Sequence, residues 1–377
     1  MQRITAILLA RCCSLLMVFS VCFASVADDW SDKLSINGYY TLDLTTADSD
    51  VQAVSSVGEL RNYDKHDFSL RNSLVGAQLE YALSDNFSLF AQGVAYYDRN
   101  NDIGTDLNWA YLSYDLGNDL IARAGVFQTP FLQGTELRTV GYSRLWARPL
   151  TPGTGASGIN QYYGLDLVKQ VSANNYNWQF QLALGKGDHD LSEVKVDDIQ
   201  LLSARIEREQ SWLRAAIMRA SYAVSTPRGQ LIIDSGEALL ASIEAEINIA
   251  SLIINAGYST SNSDVTPNDT MHYLSVAYRV DDITPFVILT KRNQYFEAFT
   301  LPAPPVGSPP PIRPPPPPPD GNADMYSVGA GLRWDLTERV AVKLQLENIR
   351  AKDDSGRRNA VENADGSVFS FVIEGAF

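Results

Sequence analysis

The sequence predicts an all-β fold, a closed antiparallel transmembrane barrel of about sixteen strands. Three observations predict it. Apolar side chains recur with a period of two along almost the whole chain. The connections between these segments alternate between short and long. After residue 27 no apolar run reaches the roughly 18 residues that a spanning helix needs.

The period is plain in single segments. Val340, Val342, Leu344 and Leu346 alternate with Ala341, Lys343, Gln345 and Glu347. Tyr176, Trp178, Phe180, Leu182 and Leu184 alternate with Asn177, Gln179, Gln181 and Ala183, and Leu239, Ala241, Ile243, Ala245 and Ile247 with Ser242, Glu244 and Glu246. Successive side chains of a strand point to opposite faces, so each segment has one oily and one wet face.

Such segments fall near 33–44, 67–82, 87–98, 105–116, 120–128, 160–171, 176–187 and 198–208. They continue near 212–223, 236–247, 251–262, 270–280, 284–296, 325–335, 339–350 and 367–377. Two fit poorly: Arg219 falls on the oily face of 212–223, and 284–296 does not resolve into two clean faces. A soluble sandwich also alternates, but its strands average about six residues. Tilted strands that cross hydrocarbon need about ten. Short turns at one end, long loops at the other and an even strand count mark an outer-membrane barrel, because a sheet in lipid must close on itself. Tyr81, Phe87, Tyr176, Trp212, Tyr278 and Trp334 stand beside the short turns, where an interfacial aromatic girdle is expected.

Residues 1–27 read as a secretory signal peptide, with Arg3 and Arg11, an apolar run from Leu15 to Phe23, and Ser25-Val26-Ala27 as the cleavage site. The expected mature domain is 28–377. All three cysteines, Cys12, Cys13 and Cys22, lie in the signal, so disulfides and thiolate chemistry are excluded from the mature domain. Its formal charge would be −16, since the signal carries two arginines and no acids. Such a balance argues against nucleic acid as a partner.

The last segment carries Phe369, Phe371, Ile373, Gly375 and Phe377 on one face, an amphipathic strand with an aromatic end. Here the chain resembles the sixteen-stranded bacterial outer-membrane porins, general or phosphate-selective-like. A sharper likeness lies in Ala124-Gly125-Val126-Phe127-Gln128-Thr129-Pro130-Phe131, followed by Glu136 and Leu137. This stretch looks like the passage of phosphate-selective porins from a strand into the third long loop. Gln128 stands where a basic residue is common, so phosphate selectivity does not carry over. The resemblance implies a passive diffusion channel for small hydrophilic solutes and ions in the outer membrane of a Gram-negative bacterium. It also implies a homotrimer, contact with outer-membrane lipid, and recognition of Phe371, Ile373 and Phe377 by the barrel-insertion machinery.

In such porins the third long loop folds into the lumen, here 129–160. It carries Glu136, Arg138, Arg144 and Arg148, and Arg123 joins them from the polar face of the preceding strand. Fixed charges beside a narrow aqueous passage set ion preference. These five residues are the expected constriction, with Arg144 and Arg148 as braces of the loop in the blander reading. Expected lumen-lining residues are Asp43, Glu80, Asp166, Glu244, Glu246, Arg333, Lys343 and Glu347. Phe90, Tyr96, Trp109 and Tyr111 share that face and are expected to pack beneath the loop.

No cofactor, metal or catalytic site is expected. Asp98 to Gly104 hints at a calcium loop, but the Gly comes one residue late and Trp109 replaces the bidentate acid. His66, His189 and His272 share no useful spacing. Twelve of the 18 prolines lie between Leu301 and Asp320, so 297–324 is expected to be a stiff outer loop. The competing function is a non-conducting surface-binding or structural barrel.

Overall fold

The protein is described by a computed structural model covering residues 33–55, 60–97, 102–148, 159–188, 194–225, 231–263, 268–296, 321–353 and 365–377. The signal segment, the proline-rich stretch up to residue 320 and most of the calcium-like loop lie outside these residues.

Strand β1 spans Leu34–Ala47, and Val51–Val54 (β2) pairs with Leu60–Tyr63 (β3) in a small separate hairpin. The strands β4 Leu74–Ser84, β5 Phe87–Tyr97, β6 Ile103–Asp115, β7 Leu120–Gln128, β8 Gln161–Ala173, β9 Tyr176–Asp188 and β10 Val194–Arg208 follow. Then come β11 Ser211–Ser225, β12 Leu231–Ile249, β13 Leu252–Ser263 and β14 Asn268–Tyr278. The last are β15 Ile283–Phe296, β16 Gly321–Thr337, β17 Val340–Asp353 and β18 Gly366–Ala376. All but β2 and β3 form one closed sixteen-stranded antiparallel barrel in chain order. The seam is the expected one, β1 against β18, from Tyr39 opposite Ala376 to Ala47 opposite Val368. Beyond it, Gly38 and Phe377 exchange both backbone hydrogen bonds at 2.8 Å.

Local chemistry sets the tight turns. Asn174 and Asn175 have φ of 52° and 64°, the left-handed pair that a two-residue hairpin between twisted strands demands and that Asn tolerates. The outward face is oily: Leu213, Ile217, Leu239, Ile243, Leu274, Leu289 and Leu346 are exposed on β11, β12, β14, β15 and β17. Inward neighbours include Arg214, Ser242, Glu244, Ser275, Gln345 and Glu347, all buried in the lumen.

Several expectations need correction. The segment expected at 67–82 becomes barrel strand only at Leu74. Before it, Ser69 bridges back to Thr45, and the Ser73 hydroxyl accepts from the Asp43 amide at 3.1 Å, so side-chain chemistry replaces the ladder. The β2–β3 hairpin was not foreseen. Strand β16 starts at Gly321, inside the expected 297–324 loop. Trp212 does not join the girdle: it is buried on the face opposite Leu213, with Arg205 over its ring at 4.5 Å to the centroid. Tyr278 and Trp334 are exposed on the oily face. Arg219 stays on the outer face and pairs with exposed Glu237 at 2.5 Å. Strand β15 has two apolar faces because both are used. Val287 and Leu289 look outward, while Phe286 and Ile288 pack inward near Leu145 and Trp146 of the third long connection.

The candidate channel and its in-folded loop

The third long connection enters the barrel. From Thr129 it makes a helical turn at Gln133–Glu136 and a tight turn at Gly141–Ser143. Phe131 and Leu132 pack into a patch of inward apolar side chains that includes Ile199, Leu201, Met218 and Leu240. Burial of this patch is what draws the loop off the rim.

Hydrogen bonds then hold the loop to walls on both sides of the lumen. Arg214 of β11 donates to the Pro130 carbonyl at 2.5 Å and to Glu136 at 2.8 Å, and Ser242 of β12 donates to the Phe131 carbonyl at 2.6 Å. Thr139 meets the Tyr39 hydroxyl of β1 and the Asn108 amide of β6, each at 2.8 Å. Arg333 of β16 donates to the carbonyls of Tyr142 and Arg144, both at 2.8 Å. Lys343 of β17 donates to the Gly141 carbonyl at 2.9 Å and is ion-paired with Glu374 of β18. The Gln345 side chain accepts from the Ala147 amide at 2.9 Å, and Tyr142 donates to the Glu338 carbonyl near the short turn.

Arg148 ties three elements. Its Nε donates to Ser370 at 2.8 Å, Nη1 to the Val54 carbonyl at 3.0 Å, and Nη2 to Glu347 at 2.8 Å. Val54 belongs to the β2–β3 hairpin, whose Val51, Ala53 and Tyr63 pack with Met325, Ile349 and Val368 of the barrel. Two connections therefore occupy the lumen side by side.

The residues expected at the constriction separate into different roles. Arg123 is held by Asp166, with Nε to Oδ1 at 3.2 Å and Nη2 to Oδ2 at 2.7 Å, so its charge is locally cancelled. Its guanidinium lies over the Tyr111 and Phe127 rings, 5.3 Å from each centroid. Glu136 is engaged by Arg214. Arg138 is half-buried, and its carbonyl accepts from Arg144 Nη1 at 2.6 Å. Burial draws Arg144 below the ordinary arginine range, against the pull of the Glu374 and Asp43 carboxylates. Arg148 has no exposed surface, so it braces the loop and does not face an aqueous passage.

Of the expected lining residues, Asp43, Asp166, Glu244, Lys343 and Glu347 are buried against loop or wall, and Glu80 and Glu246 are half-buried. The aromatics Phe90, Tyr111, Phe127 and Tyr162 form one stack across four strands, with ring centroids 5.0, 5.0 and 5.1 Å apart. Each inner ring covers its neighbour's face, so the stack is wall packing. Gly125 makes it possible, since a Cβ there would stand 2.2 Å from the Ala110 carbonyl oxygen and 2.6 Å from Tyr111 Cα. Arg214, Glu374 and Asn108 were not singled out from the sequence. The first two sit on the polar parity of their strands, whereas Asn108 is turned inward by a bulge opposite Gln92 and Gly93.

Between loop and wall lies a cavity of about 440 Å³. Tyr142, Arg144 and Trp146 line it from the loop, Glu244, Glu246, Asn255 and Tyr273 from the wall. Gln210, Asn248 and Arg279 carry its lining to the short-turn end.

No family model matches the chain, and no curated protein sequence matches it. Solved structures do. A loop L8 deletion form of OmpT, an outer membrane protein of Vibrio cholerae, superposes with a TM-score of 0.57 at 10% identity, covering 91% of this chain and 99% of that one. The outer membrane channel DcaP of Acinetobacter baumannii gives 0.56 at 9% identity, covering 91% and 97%. An anion-selective porin from Comamonas acidovorans gives 0.54 at 13% identity, covering 91% and 99%. At such identities the likeness concerns the fold: this chain shares the barrel architecture of bacterial outer-membrane proteins.

Proposed function

We propose that the protein is an outer-membrane porin, a passive channel for small hydrophilic solutes and ions. One observation carries the reading. The third long connection is folded into the lumen and pinned on several walls, yet a polar, charged cavity remains between it and β12–β16. A loop that only plugged the barrel would have no need of a charged gap beside it. Arg138, Arg144 and Glu136 are the constriction charges, Arg148 braces the loop, and Arg123 is neutralised on the wall by Asp166. The outward row Phe369, Phe371, Ile373 and Phe377, exposed at Phe369 and Phe377 and half-buried between them, suits recognition by the insertion machinery and contact with lipid. A Gram-negative outer membrane and a homotrimer follow from the same reading, and one OmpT structure is described as a trimer form. No catalytic role is assigned.

Single-channel recording of the purified protein in planar bilayers tests this. Discrete ohmic steps support the pore. A second reading, a non-conducting barrel, draws on the apolar packing of both connections inside the lumen. Silence of a folded, membrane-inserted protein would decide for it.

A further inference from the structure

We propose that the outward face of β13–β17, at the end of the long connections, is a docking surface for a phosphorylated glycolipid, a lipid whose headgroup is a sugar carrying phosphate. The proposal rests on the outer-membrane reading, because it takes the oily outer face to lie in lipid.

Three layers of outward side chains follow one another there. The layer nearest the short turns is apolar, with Leu274, Leu289 and Val328 exposed and opposite one another on β14, β15 and β16. The next is a row across five strands, in which Tyr258, His272, Lys291, Tyr326 and Arg350 each stand directly opposite the next. Contacts tie this row together: the Tyr258 and His272 rings lie 4.9 Å apart, and the Lys291 ammonium stands over the Tyr326 ring at 5.3 Å to the centroid. The third layer is polar and holds a groove of about 320 Å³. Thr260, Thr270, Asn293 and Asp324 line the groove from that layer, and Asn268 from just beyond it.

The row has cations and no acid of its own. Two outward cations farther round the barrel are matched, Lys186 by Asp197 at 2.8 Å and Arg219 by Glu237. Lys291 and Arg350 pair with no carboxylate among the described residues. Asp324, the acid of the next layer, accepts the Asn293 amide at 2.6 Å and stands opposite Lys352. Unmatched cations on a lipid face are costly in the oil and tolerated at its edge, so these two call for an anion from the lipid side. They flank Tyr326 two strands apart, about 10 Å, a span that their long side chains close around one phosphate. An ordinary phospholipid would use the oil and the cations and leave the groove empty. Asn and Thr side chains both donate and accept, as sugar hydroxyls do, so the groove suits a sugar. A headgroup with phosphate and sugar on acyl chains matches all three layers.

Isothermal titration of the full-length protein in detergent micelles tests the proposal. The probes are an acylated glucosamine disaccharide carrying one phosphate, its dephosphorylated form, phosphatidic acid and inorganic phosphate. The phosphorylated glycolipid should bind, and the dephosphorylated form and phosphatidic acid should each bind about tenfold more weakly, the worth of one charged contact. Lys291→Gln with Arg350→Gln should weaken glycolipid binding about a hundredfold and leave bilayer conductance unchanged, because both side chains face away from the lumen. Asn293→Ala should weaken it about tenfold, and decides alone should the double variant fail to fold. Unchanged affinity in the folded variants would overturn the surface. Equal binding of phosphatidic acid or of the dephosphorylated form would overturn the glycolipid assignment, and equal binding of inorganic phosphate would make this a free-anion site. Disulfide-linked pairs of Tyr326→Cys in native membranes would overturn it in favour of an interface between copies. Conductance without glycolipid binding would overturn the surface and leave the channel standing. Glycolipid binding without conductance would keep the surface and remove the channel.

Discussion

Arg148 and Glu347 form an ion pair of 2.8 Å with 0% and 2% of their side chains exposed, and the same guanidinium also holds the β2–β3 hairpin through the Val54 carbonyl. One side chain thus fastens two loops to each other and to the wall. Removing one member of such a pair strands a buried charge, at about 3–5 kcal/mol, while replacing both with apolar residues is often close to neutral. Arg148→Ala should therefore lower the thermal midpoint and expose both loops to protease. Arg148→Met with Glu347→Leu should restore much of the stability. Equal losses in single and double variants, measured by thermal unfolding in detergent, would count against this role.

Gly125 permits the aromatic stack to cross β6 and β7. Its φ is +151°, and a Cβ would strike backbone atoms of Ala110 and Tyr111 that cannot swing aside. Gly125→Ala should sharply reduce the yield of heat-modifiable folded barrel on gels. The control is Gly117→Ala, at φ +82° in an open turn with nothing within 4 Å, which should cost only about 1–2 kcal/mol. Similar yields for the two variants would refute the packing argument.

The hairpin offers a pH test outside the barrel wall. Burial pushes the Tyr63 hydroxyl up to about 12, with Arg148 and Asn72 pulling the other way. A raised tyrosine favours the native state fully below its unfolded value near 10, and that contribution fades as pH climbs towards 12. Loop cleavage by an alkali-tolerant protease should accelerate across that window. Tyr63→Phe should flatten the rise, and an unchanged rise in that variant would place the sensitivity elsewhere.

The barrel was legible because its signal is repeated. Each strand carries the same parity, so the closing pair of β1 and β18 and the inward placement of Glu244 and Lys343 follow from counting. What parity cannot give is the partner across the lumen. Nothing near Arg148 in the sequence announces Glu347 or Val54, and the hairpin that supplies Val54 lies in a stretch with no long alternation. Where alternation blurred, as in β15, the inward face was covered by the loop, and an apolar lumen face is the trace such packing leaves in sequence. Asn108 was hidden by a bulge, which shifts parity by one residue.

Within a few ångströms, fixed charges outweigh the net charge of the chain, because about 8 Å of physiological salt screens the rest. Arg148 is cancelled by Glu347 and Arg123 by Asp166, so neither contributes a free charge to a passing ion. The cavity side differs: Arg144 lines it from the loop, and Glu244 and Glu246 line it from the wall. Glu244→Gln with Glu246→Gln should move the reversal potential under a salt gradient towards anions. Arg138→Ala with Arg144→Ala should move it towards cations. Arg148→Met with Glu347→Leu removes one charge of each sign and should leave it in place. If the paired variant shifts the potential as much as the cavity variants do, ions pass on the β17 side of the loop, and the passage beside β12 is not the conducting one.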